Sequence, residues 1–145
     1  MVALLIMRTI KFRAWSLKNK KFYHLDKDNS VFVLDGYYWG WQLGKSGYDW
    51  FVDGANSHEG DTLQQFTGLN DKNGHEIYEG DLLAYSSSTL PNYYEVIWNA
   101  QAAKFNTKVH LKHDKMLAVR PCPVDKLQYL EIVGNIFENP ELLIR

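Results

Sequence analysis

The segment QFTGLNDKNGHEIYEGDLL, residues 65–83, combines two tight turns with three short strand fragments. Its first turn, Asp71-Lys72-Asn73-Gly74, has residue types that reverse a chain, because Asn and Asp tolerate left-handed backbone conformations and Gly has no Cβ to clash. Its second turn, Glu79-Gly80-Asp81, comes directly before the apolar run Leu82–Tyr85. A chain built around such a segment is expected to form short antiparallel strands.

Composition also favours a β-rich fold. Aromatic residues make up 14% of the 145 positions, and aromatic side chains fit the pleated, half-buried surface of a sheet. Hydrophobic residues make up 46%, which is enough to bury a sizeable core in a chain the size of one domain. Long stretches with apolar residues at three-to-four spacing are missing. We therefore predict a mainly β protein with little helix.

Residues 1–58 are predicted to form an N-terminal β-hairpin region. The alternation of residue types and the intervening turn residues predict strands over 8–15, 22–25, 31–34, 37–43 and 48–52. Gly40, within the aromatic strand 37–43, is expected to mark a β-bulge. The polar, Gly-containing run Asp53–Asp61 is the expected boundary with the rest of the chain.

Residues 59–145 are predicted to form a second unit, a small barrel. Strands are expected over 62–68, 82–85, 93–98, 105–111, 116–119 and 131–137. Five or six short strands joined by tight turns suit a barrel, which removes exposed sheet edges by closing on itself. Asn139-Pro140-Glu141 has the composition of a helix start and predicts a short terminal helix or turn.

Four stretches of the chain resemble the YopX family of bacteriophage and prophage proteins. Residues 65–83 match its signature, and the other three matches are RTIKFRAW at 8–15, YEVIW at 94–98 and EIVGNIFENPELL at 131–143. The resemblance implies a phage or prophage origin and an SH3-like barrel in the second half of the chain. It implies no particular chemistry.

Charge and cysteine content limit the expected environment. Sixteen basic residues against seventeen acidic ones argue against a dedicated nucleic-acid binder, although a local basic patch is compatible with this balance. Cys122 is the single cysteine, which excludes an intrachain disulfide and suits a reducing cytoplasm. The apolar run 1–7 is too short for a signal-peptide core, and no stretch approaches the ~20 apolar residues of a membrane span. We expect a soluble protein in the cytoplasm of a bacterial host, without membrane partners.

One constellation has the character of a binding surface. On the predicted outer face of the first strand, Lys11, Arg13 and Trp15 lie together, within a basic stretch over residues 8–27. Basic side chains beside an exposed aromatic ring hold single-stranded nucleic acid through phosphate contacts and base stacking. The alternative interpretations are a solvated face with a partly covered Trp, and a contact between subunits.

Catalytic and metal sites are not expected. His110 and His113 are three positions apart, so on a strand their side chains would point to opposite faces, and no CxxC or HExxH motif accompanies them. Cys122 has no neighbouring group that would lower its pKa, so a packing role is expected. The glycines lack phosphate-binding spacing. We predict no catalytic residues, no metal, no cofactor and no enzymatic activity.

The function predicted from the sequence is therefore binding. We expect a phage or prophage accessory protein, a homo-oligomeric interaction module whose partners are itself and an unknown host or phage protein. Trp39 and Trp41 share one face of a predicted strand and are read as core, as an oligomer interface or as a partner site. The alternative is a single-stranded nucleic-acid-binding protein.

Overall fold

The computed structural model describes residues 9–17, 19–24, 30–35, 38–43, 62–87, 91–111 and 122–143, and for 30–35 and 38–43 it describes the backbone alone. Ten strands occur in these ranges: β1 Phe12–Ser16, β2 Lys21–His24, β3 Ser30–Asp35, β4 Tyr38–Leu43, β5 Thr62–Asn70, β6 Glu76–Tyr78, β7 Asp81–Ala84, β8 Tyr93–Asn99, β9 Lys104–His110 and β10 Glu131–Asn135. Helical structure in the same ranges is confined to two 3₁₀ helices, Val124–Tyr129 and Pro140–Leu143.

The strands form two four-stranded antiparallel sheets and a separate hairpin. The first sheet has the order β2-β1-β5-β6, and the second has the order β10-β7-β8-β9. Strands β3 and β4 pair with each other in a two-stranded sheet. The first sheet contains strands from both of the units predicted from sequence, so those units share backbone hydrogen bonds between β1 and β5.

Turns from the signature segment join the two sheets into a barrel-like body. In the first turn, Lys72 N–H donates to Leu130 O over 2.9 Å, directly before β10. In the second turn, Gly80 N–H donates to Val96 O, and Gly80 O accepts from Ile136 N–H. These bonds satisfy backbone N–H and C=O groups that would otherwise be unpaired at the sheet edges.

The main core lies between the sheets. It consists of the buried side chains Ile77, Leu83, Val96, Phe105, Cys122, Leu127 and Leu130. A second cluster lies on the opposite face of the second sheet, where Leu142 and Leu143 of the terminal 3₁₀ helix pack against Leu82, Ala84 and Tyr93. The short C-terminal helix therefore covers part of the face of the second sheet that points away from the main core.

The predicted fold class is confirmed: the chain is mainly β and barrel-like, with little helix. The predicted bulge at Gly40 is wrong, because β3 and β4 pair in continuous register and Gly40 lies opposite Val33. The register shift instead falls in β10, between Ile132 and Gly134. The predicted strands over 48–52 and 116–119 lie outside the described residues. The division of the chain at residue 58 stays a prediction.

Candidate functional site

The structure buries most of the surface predicted at Lys11, Arg13 and Trp15. Arg13 is 8% exposed and Trp15 is 3% exposed, so the expectation of an outer basic face with an accessible aromatic ring is wrong. The reason is the position of β1, which lies between β2 and β5 and is covered on both faces. Lys11 is half-buried and forms an ion pair with Glu76.

Arg13 is the centre of a buried polar cluster. Its Nε donates to Oε1 of Gln64 over 2.8 Å, and its Nη2 donates to Oδ1 of Asp81 over 2.5 Å. The Asp81 side chain is 2% exposed, so both charges are removed from water. A buried charge is tolerated when it is paired and hydrogen-bonded, and Arg13 has both an anion and a neutral acceptor within reach.

Two aromatic rings enclose the guanidinium group of Arg13. Its Cζ lies 4.1 Å from the ring centroid of Phe22 and 4.5 Å from that of Tyr78. Trp15 extends this layer, with its ring 4.9 Å from Phe22 and stacked at 5.9 Å on Phe137. Aromatic faces attract a cation more strongly when water is excluded, so the rings stabilise the charge as well as covering it.

Asp81 accepts hydrogen bonds from three elements of the fold. Besides Arg13, it accepts from the Tyr78 N–H over 2.8 Å and from Nδ2 of Asn135 over 3.0 Å. The Asn135 Oδ1 in turn accepts from Phe137 N–H. The cluster of Arg13, Gln64, Asp81 and Asn135 therefore ties β1, β5, β7 and β10 together, and we call it the Arg13–Asp81 cluster. The cluster has a structural role, because its polar side chains form hydrogen bonds with one another.

Asp71 has a similar role in the first turn. Its Oδ1 accepts from the N–H groups of Asn73 and His75 at 2.8 and 2.9 Å, and its Oδ2 accepts from Ile132 N–H at 3.1 Å. Burial raises the pKa of the Asp71 carboxyl, but the three backbone donors and His75 outweigh burial and hold the pKa below its usual 3.8. A carboxylate at position 71 thus fastens the turn to β10.

Asp71→Asn is expected to lower the free energy of unfolding at neutral pH by about 2 kcal/mol, because an amide cannot accept from all three N–H groups. The folded pKa of Asp71 is depressed, so its contribution is complete above the unfolded value near 3.8 and is lost as pH falls through the folded value. The difference between wild type and variant should therefore shrink in acid. Urea unfolding followed at several pH values measures it.

The control for this prediction is Asp125→Asn, because the Asp125 side chain is 71% exposed. Surface substitutions of this kind change stability by less than about 0.5 kcal/mol. A loss at Asp71→Asn no larger than that of the control, or one that does not depend on pH, would contradict the assigned role.

The remaining candidate residues also have structural partners. Cys122 is buried in the main core, and burial raises the pKa of its thiol, which disfavours the reactive thiolate. The expected packing role is confirmed. His110 Nε2 lies 2.6 Å from Oε2 of Glu95, while His113 lies outside the described residues. Within the ranges that the structure describes, no three His, Cys, Asp or Glu side chains converge as metal ligands.

Sequence reasoning did not find the Arg13–Asp81 cluster, although it named two of its members for other reasons. Gln64 and Asn135 gave no signal, because a single polar residue within a strand is typical of a solvent-facing position. The sequence offered one hint, because Arg13 stands in β1 between two apolar residues.

In the described part of the chain, no helix has the length and apolar composition required to cross a bilayer.

A known protein family matches nearly the whole chain. The family model described as "YopX protein" matches residues 11–144. The chain belongs to the YopX family. No curated protein matches the sequence.

Two solved structures share the fold over nearly the whole chain. The crystal structure of protein EF1440 from Enterococcus faecalis has a TM-score of 0.61 and 23% identity, covering 95% of this chain and 100% of that one. The crystal structure of protein YopX from Bacillus subtilis has a TM-score of 0.62 and 19% identity, covering 96% of this chain and 98% of that one. At these identities the likeness shows the fold alone.

Proposed function

We propose that this YopX-family protein is a non-catalytic, phage-derived interaction module that works as a homo-oligomer in the cytoplasm of its host. The observation that carries the proposal is the β3–β4 hairpin. Its strands pair with each other and with no other described strand. The register places Phe32 opposite Trp41 and Leu34 opposite Trp39, so these four positions share one face of the hairpin.

A two-stranded hairpin is marginally stable in water unless a further surface covers it. Large aromatic residues contribute most to protein interfaces, because each buries a large apolar area with little conformational freedom to lose. A second copy of the chain is the simplest source of such a surface, since soluble oligomers are mostly symmetric assemblies of identical subunits. The hairpin would then act as an arm between subunits, and the assembled surface would bind the host or phage partner.

The non-catalytic part of the proposal rests on how the buried charges are used. Arg13 and Asp81 neutralise each other within a closed set of hydrogen bonds. Asp71 is held as a carboxylate by backbone donors, which leaves it unsuited to proton transfer near neutral pH. These structural roles of the buried charges support a protein that acts through a binding surface rather than through a reacting group.

Light scattering during size-exclusion chromatography, across a range of protein concentrations, tests the oligomer. Wild type is expected to elute as an assembly larger than one chain. Trp39→Ser with Trp41→Ser is expected to raise the dissociation constant by at least about a hundredfold, since hot-spot aromatic residues contribute about 2 kcal/mol or more each. A monomeric wild type, or an unchanged assembly in the double variant, would contradict the proposal.

Trp98→Ser is the matched control. Trp98 is 43% exposed at the end of β8, outside the hairpin, and its ring contacts Phe105. The same substitution there should leave the assembly intact. Because a hairpin variant could also lose its fold, circular dichroism of all variants accompanies the measurement, and an assembly defect in a folded variant is the supporting result.

The nucleic-acid alternative now depends on other residues. Arg13 is buried, so its replacement tests folding rather than binding. Lys104 and Lys108 are exposed and share one face of β9, and this pair of cations is a favourable observation for a polyanion among the described residues. Retention on a single-stranded oligonucleotide that falls with salt and is lost in Lys104→Glu with Lys108→Glu would favour this alternative over the interaction module.

A further inference from the structure

Asn73-Gly74 is the one Asn-Gly step in the sequence, and it lies in the exposed first turn of the signature segment. Glycine has no Cβ, so its backbone nitrogen is open to approach by the preceding side chain. Asparagine is among the thermolabile residues, because its side-chain amide can be attacked and lost. The chemistry of this step is separate from the interaction proposed above.

We propose that Asn73 is a site of self-modification whose rate is set by the folded turn. The Gly74 backbone nitrogen loses its proton to solvent and attacks Cγ of Asn73, so that a C–N bond forms. The Cγ–Nδ2 bond then breaks, and the side-chain nitrogen takes a proton from solvent and leaves as ammonia. Water then opens the five-membered succinimide ring. Opening at one carbonyl gives aspartate, and opening at the other gives isoaspartate, with the main chain running through the side-chain carbon.

The folded turn restrains the backbone on both sides of the reacting step. Gly74 N–H, the source of the nucleophile, donates to Asp71 O over 3.0 Å. The carbonyl of Gly74 accepts from Nδ2 of Asn70 over 3.0 Å, which holds the same residue from its other side. The backbone of Asn73 is held as well, because its N–H donates to Oδ1 of Asp71 over 2.8 Å. Attack requires release of the Gly74 N–H from Asp71 O, because that nitrogen must turn toward Cγ of Asn73.

The geometry therefore makes Asn73 slow to react while the turn is closed and fast to react once it opens. We expect the folded protein to deamidate at least about tenfold more slowly than the unfolded chain, which corresponds to about 1.4 kcal/mol. The reactive population is the one in which the turn has opened locally. The fraction of chains modified at Asn73 therefore rises with the time that this turn spends open.

The isoaspartate product has a structural consequence. It lengthens the main chain within a turn where Asp71 Oδ1 accepts from the N–H groups of Asn73 and His75, on either side of Gly74. The same Asp71 carboxylate bonds Ile132 N–H of β10, and Lys72 N–H bonds Leu130 O. An added methylene group displaces these donors, so isoaspartate at position 73 should loosen the closure of the barrel between the turn and β10.

The test uses the full chain incubated in neutral buffer, with and without denaturing urea, followed by peptide mass spectrometry. In urea, the peptide containing Asn73 is expected to gain the mass difference between an amide and an acid, and fragmentation should locate isoaspartate at position 73. In the folded protein the same change should be at least about tenfold slower. Asn73→Gln should abolish the change in both conditions.

Asn19, exposed in another turn but followed by Lys20, is the internal control and should change little in either condition. No modification of Asn73 in urea would overturn the site. Equal deamidation rates in the folded and unfolded chain would contradict the claim that the turn restrains Asn73. Neither result depends on the oligomeric state, so failure here is distinguishable from failure of the interaction module.

Discussion

Arg13→Ala is expected to lower the free energy of unfolding by about 3–5 kcal/mol, because it leaves the Asp81 carboxylate buried without its cation. That is a large share of the ~5–15 kcal/mol that stabilises a typical domain. The two rings beside the guanidinium, Phe22 and Tyr78, would also face a cavity. Urea unfolding followed by tryptophan fluorescence measures the loss, and Trp15 within the same layer should report it.

A double-mutant cycle separates the ion pair from simple loss of packing. Arg13→Ala combined with Asp81→Ala should cost less than the sum of the single variants, because the double variant leaves no unpaired charge. Lys11→Ala is the matched control, since Lys11 pairs with Glu76 at a more exposed position of the same segment. It should cost about 1 kcal/mol or less. Additive losses for Arg13 and Asp81 would show that they act independently.

Gly80→Ala is expected to cost about 3 kcal/mol through two separate effects. Gly80 has φ +76°, a left-handed conformation that costs other residues about 1–2 kcal/mol. A Cβ at this position would also lie 2.3 Å from Nε2 of Gln64, a member of the Arg13–Asp81 cluster. Overpacking of this kind costs about 1–3 kcal/mol, and Gln64 cannot swing away freely because it is buried and its Oε1 accepts from Nε of Arg13. The free energy of unfolding from urea denaturation checks the value.

Gly68→Ala is the control that separates these effects. Gly68 has φ +88°, and a Cβ there would meet nothing within 4 Å. Its replacement should therefore cost only the conformational part, about 1 kcal/mol. Equal losses at Gly68 and Gly80 would show that the contact with Gln64 contributes nothing to the requirement for glycine at position 80.

Strand positions were predictable from sequence where turn residues bounded them. The two turns of residues 65–83 fall where predicted, with positive φ at Gly74 and Gly80. Strand β8 and the terminal 3₁₀ helix also lie where their patterns placed them. These features depend on local chemistry, namely alternation, capping and the conformational freedom of glycine, which a single sequence displays directly.

The candidate site was not predictable in the same way. Alternation along β1 assigned Arg13 and Trp15 to a solvent face, since a basic residue is normally exposed. The structure covers that face with Phe22, Tyr78 and Phe137, which come from three separate parts of the chain. The bulge in β10 was also missed. So was the 3₁₀ helix Val124–Tyr129, whose Leu127 is buried in the main core and whose position therefore depends on packing.

The sequence by itself determined the turns, the β class and the family, because each depends on residues that are neighbours along the chain. Tertiary structure alone decided that Arg13 belongs inside. The free energy of burying a cation depends on whether an anion and hydrogen-bond acceptors lie within reach. Asp81 and Gln64 supply these groups from positions more than fifty residues away, and only folding brings them to Arg13.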